Sequence, residues 1–193
     1  MSQFGLGFRV KSGHAIAVAL CGPGSAPAVL ARLVIELSDP AVPATRQPYH
    51  DGFYKQQDDP RELSRLVALV KRCAARSVDA LLMDEHLAGL RCRAAGLVVG
   101  SIIDPQQVGN LHIRAHASEG QLFRTVLVDA LSAHGIACDV IVDKTLAKAA
   151  ATGLRRTDAA IMRAVAALGK THGGTWRAEE KAACTAAWLA LRQ

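Results

Sequence analysis

Apolar and polar positions alternate in the first third of the chain, and this alternation predicts β-strands there. Residues 28–37, AVLARLVIEL, place Arg32 and Glu36 on one side of an extended chain. The opposite side carries only apolar side chains: Val29, Ala31, Leu33, Ile35 and Leu37. Two more apolar runs, FRV and HAIAVALC, flank Lys11-Ser12-Gly13. They predict either one long kinked strand or a hairpin closed by a tight turn.

Helical spacing replaces the alternation after an irregular, Pro-rich segment at residues 38–57. Asp59 can cap a helix, Pro60 suits its first position, and Glu62 favours the positive end of the helix dipole. Apolar residues then recur at helical spacing as far as Leu90, either without interruption or with a break near Ser77. An alternative interpretation makes VDALLM, residues 78–83, a strand.

The second half of the chain predicts strands and helices in alternation. AAGLVVGSII and CDVIVD are short apolar runs typical of buried strands. Between them, Asn110 can cap a helix that runs to about His134 and stops at Gly135. Three Ala-rich helices follow, at residues 146–151, 158–168 and 178–191. This order predicts an α/β mixed sheet with antiparallel first strands, then βαβ units, and helices on both faces.

Composition narrows the class of protein. With 193 residues, half of them hydrophobic, the chain suits a single domain spanning residues 1–193. The net charge of +6 favours a polyanion such as nucleic acid as partner. Five cysteines without CxxC spacing predict neither a disulfide framework nor a zinc ribbon, and free thiols suit the cytoplasm. No apolar run approaches the ~18 residues of a membrane span, so we expect a cytoplasmic protein without membrane contact.

The helix after Asn110 carries polar groups on its apolar side. His112, His116 and Glu119 project in nearly the same direction as Phe123 and Ala130. Burying such groups without partners is costly, so they either line a cleft or form hydrogen bonds in the interior. A third interpretation is a transition-metal site, because histidines four residues apart on a helix can ligate zinc and the glutamate could be a third ligand.

Four segments together bear a family resemblance: LGFRVKSGHAIAVAL, GLVVGSIID, VIVDKTLAKAAA and EEKAACTAAWLALRQ. In order and spacing they resemble the YqgF-type resolvase-like nucleases, RNase H-like proteins linked to the processing of pre-16S ribosomal RNA. The resemblance covers roughly two thirds of the chain and leaves residues 39–93 unmatched. It implies an RNase H-like fold, the same strand and helix order that the hydrophobic pattern predicts.

The resemblance also implies a site made of carboxylates on the first strand, at a later strand end and at the start of the last helix. In such nucleases these groups hold Mg²⁺ or Mn²⁺, which activates water for phosphodiester cleavage. This sequence offers Asp143 at the strand end and Glu179 and Glu180 at the last helix, with Asp104 and Glu119 as further candidates. Asp143 and Glu180 would hold the metal. Where the family has its first-strand aspartate, this chain has Arg9, followed by Lys11.

A guanidinium cannot ligate a cation, so the departure at Arg9 predicts a degenerate or altered nuclease site. The expected function is association with RNA or DNA through the phosphate backbone. The candidate phosphate ligands are Arg9, Lys11, His112, Arg114, His116 and Lys144. Two alternatives stay open: an active metal-dependent nuclease using Asp143 and Glu180, and a non-catalytic protein-interaction domain. The Ala-rich helices could serve either a homodimer or packing within the chain.

Overall fold

The segment Lys11-Ser12-Gly13 forms a hairpin turn between the first two strands. The computed structural model describes residues 3–52 and 55–192. Its strands are β1 (Gln3–Lys11), β2 (His14–Cys21), β3 (Ala28–Glu36), β4 (Arg91–Val99) and β5 (Cys138–Val142). Its α-helices are α1 (Pro60–Leu82), α2 (Leu111–Ala133), α3 (Asp143–Leu154), α4 (Asp158–His172) and α5 (Ala178–Arg192). Three short 3₁₀ turns lie at Pro43–Arg46, Glu85–Leu87 and Pro105–Gln107.

The five strands form one mixed sheet in the order β3-β2-β1-β4-β5. Strand β2 pairs antiparallel with both β1 and β3, whereas β1, β4 and β5 run parallel to one another. The predicted α/β architecture is therefore confirmed. The carboxyl ends of β1, β4 and β5 meet at one edge of the sheet, where ligand sites of α/β proteins gather.

Alternate residues of β1 face two different helical layers. Phe4, Leu6, Phe8 and Val10 belong to the main core beneath α1 and α2. Gly5 and Gly7 face α5, and a Cβ on Gly7 would lie 1.9 Å from the Ala183 carbonyl oxygen. The backbone of α5 therefore rests directly on the sheet. Arg9 continues this second row and lies on the α5 face.

Several predicted boundaries were wrong, and local hydrogen bonds explain where the elements end. Helix α1 is unbroken at Ser77, whose hydroxyl donates to the Glu36 carbonyl at 2.6 Å. It stops at Leu82 instead of Leu90, because Asp84 accepts the backbone N–H of His86 and starts a 3₁₀ turn. VDALLM is thus not a strand. Helix α3 begins three residues earlier than predicted, at Asp143.

The structure also describes the state of the cysteines and the length of the apolar helices. All five cysteines are free thiols. Burial raises the pKa of Cys92, Cys138 and Cys184 to about 12, so these three stay protonated at neutral pH. In the part of the chain that the structure describes, no helix is both long enough and apolar enough to cross a lipid bilayer.

Candidate functional site

An ion pair joins the first strand to the start of α3 at the carboxyl edge of the sheet. The Nη2 of Arg9 donates to Oδ2 of Asp143 at 2.9 Å. Arg9 lies opposite Val98 in the parallel register of β1 and β4, and Asp143 directly follows β5. The Arg9 side chain therefore reaches past β4 to the helix that leaves the next strand. A guanidinium thus contacts the carboxylate for which the sequence predicts a metal.

A second ion pair connects the end of β1 to the start of α5. The Nζ of Lys11 lies 3.2 Å from Oε1 of Glu179, and both side chains are partly exposed. A hydrogen bond from its own backbone N–H and the bond from Lys11 hold the pKa of Glu179 below its usual value. The carboxylate is therefore ionised at neutral pH and matched by the ammonium group.

The third pair, Arg32 with Glu180, is the most deeply placed. Arg32 lies in β3 opposite Val18, and its Nη2 donates to Oε1 of Glu180, whose side chain is only 3% exposed. The other carboxylate oxygen accepts the backbone N–H of Arg177 at 2.9 Å, just before α5. Burial raises the pKa of Glu180, but these hydrogen bonds outweigh it, and the pKa lies below its ordinary value.

A basic cavity of about 700 Å³ is lined by the second and third of these pairs. Lys11, Arg32, Arg46 and Arg177 line it together with Glu179 and Glu180, so cations outnumber carboxylates. Arg46 and Arg177 are exposed and form no ion pair with any other described residue. We call this surface the basic cleft. Its excess positive charge attracts anions such as phosphate.

The predicted metal-binding carboxylates, in the cleft and at Asp143 beside it, do not form a Mg²⁺ or Mn²⁺ centre. Such ions need several oxygen ligands that are free to approach one point. Here Asp143, Glu179 and Glu180 each contact an arginine or a lysine, and the first-strand position holds a guanidinium. A cation placed among these groups would be repelled by the basic partners, since even two unit charges of the same sign 4 Å apart near a protein surface repel by about 4 kcal/mol.

A separate cluster of imidazoles lies on the α2 side of the sheet. His112 and His116 of α2 meet His50, which comes from the loop between β3 and α1, with ring centroids 4.5–5.2 Å apart. The Nδ1 of His50 donates to Oε1 of Glu119 at 2.7 Å. Glu119 is 1% exposed. Burial and the charge of Glu119 raise the pKa of the neighbouring Tyr49.

Known structures share this arrangement of strands and helices. No family model matches the chain, and neither does any curated protein. Thermus thermophilus RuvC aligns over 98% of this chain and 92% of its own, with a TM-score of 0.54 and 11% identity. T. thermophilus RuvC in complex with a Holliday junction substrate aligns over 98% and 91%, with a TM-score of 0.53 and 11% identity.

The chain has the RNase H-like fold of these resolvases. The yeast mitochondrial Holliday junction resolvase Ydc2 aligns over 97% of this chain and 78% of its own, at 10% identity and a TM-score of 0.49. In this fold, the predicted carboxylates Asp143 and Glu180 both lie on the α5 side of the sheet, near the end of β1. The predicted RNase H-like architecture is confirmed.

The remaining predicted site residues lie in three places. His112, His116 and Glu119 join the imidazole cluster, on the face of the RNase H-like sheet opposite to Arg9. Asp104 and Arg114 serve the loop before α2: the Asp104 carboxylate accepts the Gln106 N–H at 3.0 Å, and the Arg114 Nε donates to the Val108 carbonyl at 2.8 Å. Lys144 is exposed beside Asp143 at the start of α3.

The sequence alone did not indicate four residues of these sites: Arg32, Arg46, Arg177 and His50. Arg32 is a charged residue in the middle of the mostly apolar strand β3, and that position could have indicated a partner on the sheet face. Arg46, Arg177 and His50 lie in irregular segments, where no periodicity reveals the direction of a side chain. His50 reaches α2 because the loop folds back on itself, with a bridge between His50 and Gln56.

Proposed function

We propose that this chain is a nucleic-acid-binding protein of RNase H-like fold that holds the phosphate backbone in the basic cleft and does not cleave it. The observation that carries the proposal is the set of three ion pairs, Arg9–Asp143, Lys11–Glu179 and Arg32–Glu180. In the nucleases that the chain resembles, carboxylates at such positions hold divalent cations. Here protein cations contact them instead.

The cleft also retains donors that a phosphate could use. Among the described residues, Nε of Arg32, which lines the cleft, is buried and has no hydrogen-bond partner, and the same holds for Nη1 of Arg9, which lies outside the cleft near the end of β1. Arg46 and Arg177 add two exposed guanidinium groups at the same cavity. Guanidinium groups bind phosphate oxygens through paired N–H donors, and phosphate contacts supply most sequence-independent affinity. Lys144 remains a candidate for a further phosphate contact.

Branched DNA is the first ligand to test, because one of the similar structures is RuvC in complex with a Holliday junction substrate. RNA is the second, because the family resemblance points to ribosomal RNA. The third candidate, a protein-interaction domain, has less support. The alanines of α5 that could form a dimer face, Ala183, Ala186, Ala187 and Ala190, are at most 1% exposed within one chain.

One assay distinguishes the proposed function from the competing one, a metal-dependent nuclease that uses Asp143 and Glu180. Labelled four-way junction DNA, single-stranded DNA and RNA are incubated with the protein in EDTA, Mg²⁺ or Mn²⁺, and both binding and cleavage are measured. We expect binding in EDTA and no cleavage in any condition. Cleavage that requires Mn²⁺ or Mg²⁺ and is lost in Asp143→Asn would overturn the proposal in favour of the nuclease.

A further inference from the structure

Three imidazoles converge at a point that the proposed function does not use. His112 and His116 lie one turn apart on α2, and His50 arrives from the loop between β3 and α1. One ring nitrogen from each lies within 4.8 Å of the others, and the Nε2 atoms of His112 and His116 are 3.2 Å apart. Two nitrogens bound tetrahedrally to zinc at 2.0–2.1 Å are about 3.3 Å apart. The spacing of this helical pair is therefore already that of two zinc ligands.

The buried carboxylate of Glu119 lies beside the Nδ1 atoms of two of these histidines, His50 and His116. Oε1 of Glu119 accepts the Nδ1–H of His50 at 2.7 Å, and Oε2 lies 3.6 Å from Nδ1 of His116. Binding Nδ1 to a carboxylate leaves Nε2 as the lone-pair nitrogen, the arrangement that carboxylates impose on histidines that ligate metals.

The consequence, an Nε2 atom that can bind a metal, is clearest at His50. Its side chain is 7% exposed, and its Nε2 is buried without a hydrogen-bond partner among the described residues. Such an atom costs free energy unless a ligand satisfies it.

We propose that His50, His112 and His116 bind a transition-metal ion of the zinc class through their Nε2 atoms, with Glu119 as the outer carboxylate. Neutral imidazoles suit zinc and its neighbours better than they suit Mg²⁺ or Ca²⁺. A cation would also offset the negative charge of Glu119, which is 1% exposed. With three protein ligands, one position stays open on the side of His116, whose side chain is 49% exposed.

The bound metal would fasten residues 37–59 to α2. In the parts of this segment that the structure describes, residues 37–52 and 55–59, there are one 3₁₀ turn and the bridge between His50 and Gln56. Its main anchor on α2 is the contact between His50 and Glu119. A ligand that binds the folded state alone stabilises it. The metal is therefore expected to raise the melting temperature of the protein.

Zinc titration of the metal-depleted full chain, against a chromogenic chelator, tests the site. We expect one tightly bound zinc per chain, at least tenfold weaker binding in His116→Gln and His50→Gln, and tenfold to hundredfold weaker binding in Glu119→Gln. His116 is half-exposed, so its variant should fold, and circular dichroism checks this. His134→Gln is the matched control: His134 caps the other end of α2 and bonds Asp79 at 2.7 Å, and this variant should bind zinc as the wild type does.

Two further readouts accompany the titration. Cobalt should give the intense visible absorption of a tetrahedral site in the wild type and in His134→Gln but not in His116→Gln. Zinc should raise the melting temperature of the same two proteins only. The absence of tight zinc binding by the wild type, or equal affinity in wild type and His116→Gln, would overturn the proposal and leave the cluster as a buried hydrogen bond between His50 and Glu119.

Discussion

Glu180 illustrates how a buried carboxylate is kept charged in this protein. Its two oxygens have separate donors, the Arg32 guanidinium and the Arg177 backbone N–H. Both donors favour the ionised form, so the pKa is lowered in spite of burial. Arg32, in turn, would be left partly buried and without a counter-charge if the carboxylate were removed.

Glu180→Gln is therefore expected to destabilise the protein by about 1.5–3 kcal/mol at neutral pH, since hydrogen bonds to charged groups contribute that much. Urea denaturation measures the effect. Glu62→Gln is the control, because the Glu62–Arg65 pair lies on the surface of α1 and its loss, with that of the helix-dipole interaction, should cost clearly less stability than Glu180→Gln. Equal stability of wild type and Glu180→Gln would show that the pair with Arg32 contributes nothing.

The effect of Glu180→Gln on stability is expected to depend on pH. The folded-state pKa of Glu180 is lowered, so its stabilisation is complete above the unfolded pKa of about 4.3 and is lost as pH falls through the folded value. The stability difference between wild type and Glu180→Gln should thus shrink steadily below about pH 4.3. A difference that stays constant down to acidic pH would contradict this assignment of the charge.

At this scale the sequence predicts some contacts and misses others. Arg9 lies near the end of β1, and Asp143 directly follows β5. Because these strands are parallel in the expected topology, the two side chains are expected to lie close together, and they are 2.9 Å apart. The partner of Arg32 lies 148 residues away on α5, and its distance depends on how that helix settles on the sheet. No local pattern contains that information.

At the scale of elements, the close packing of α5 on β1 fixes the geometry of the basic cleft. Gly5 and Gly7 let the α5 backbone approach the strand, and a Cβ on Gly7 would meet the backbone of Ala183 and Ala187 within 1.9–2.3 Å. This contact places Glu179 and Glu180, in the first turn of α5, beside Lys11 and Arg32.

Gly7→Ala is expected to cost about 3 kcal/mol or more, because backbone atoms cannot move away as a flexible side chain can. Gly120→Ala provides the matched control. Gly120 is an exposed helical residue of α2 with no atom within 4 Å of an added Cβ, so the change should stabilise by about 0.5–1 kcal/mol. Thermal melting of both variants measures these shifts. A Gly7→Ala protein as stable as the wild type would contradict the packing described for α5.

At the scale of the whole molecule, hydrophobic periodicity was enough to predict the sheet and its helical layers. Strands β1 to β5 and helices α1 to α5 all correspond to apolar patterns in the sequence. The loop at residues 37–59 has no such pattern, so the position of His50 beside α2 could not be predicted. The sequence analysis also grouped His112 and His116 with Arg9 as candidate phosphate ligands, whereas the histidines and Arg9 lie on opposite faces of the sheet.

The central claim is that the basic cleft binds phosphate through protein cations, and the salt dependence of DNA binding tests it most directly. Fluorescence anisotropy with four-way junction DNA in EDTA, at several salt concentrations, gives the slope of log affinity against log salt. Arg46→Ala and Arg177→Ala should each weaken binding and make the slope shallower by about 1, because each removes one phosphate contact. Arg72→Ala, an exposed arginine of α1, should match the wild type. No binding at low salt, or equal effects of all three substitutions, would contradict the account.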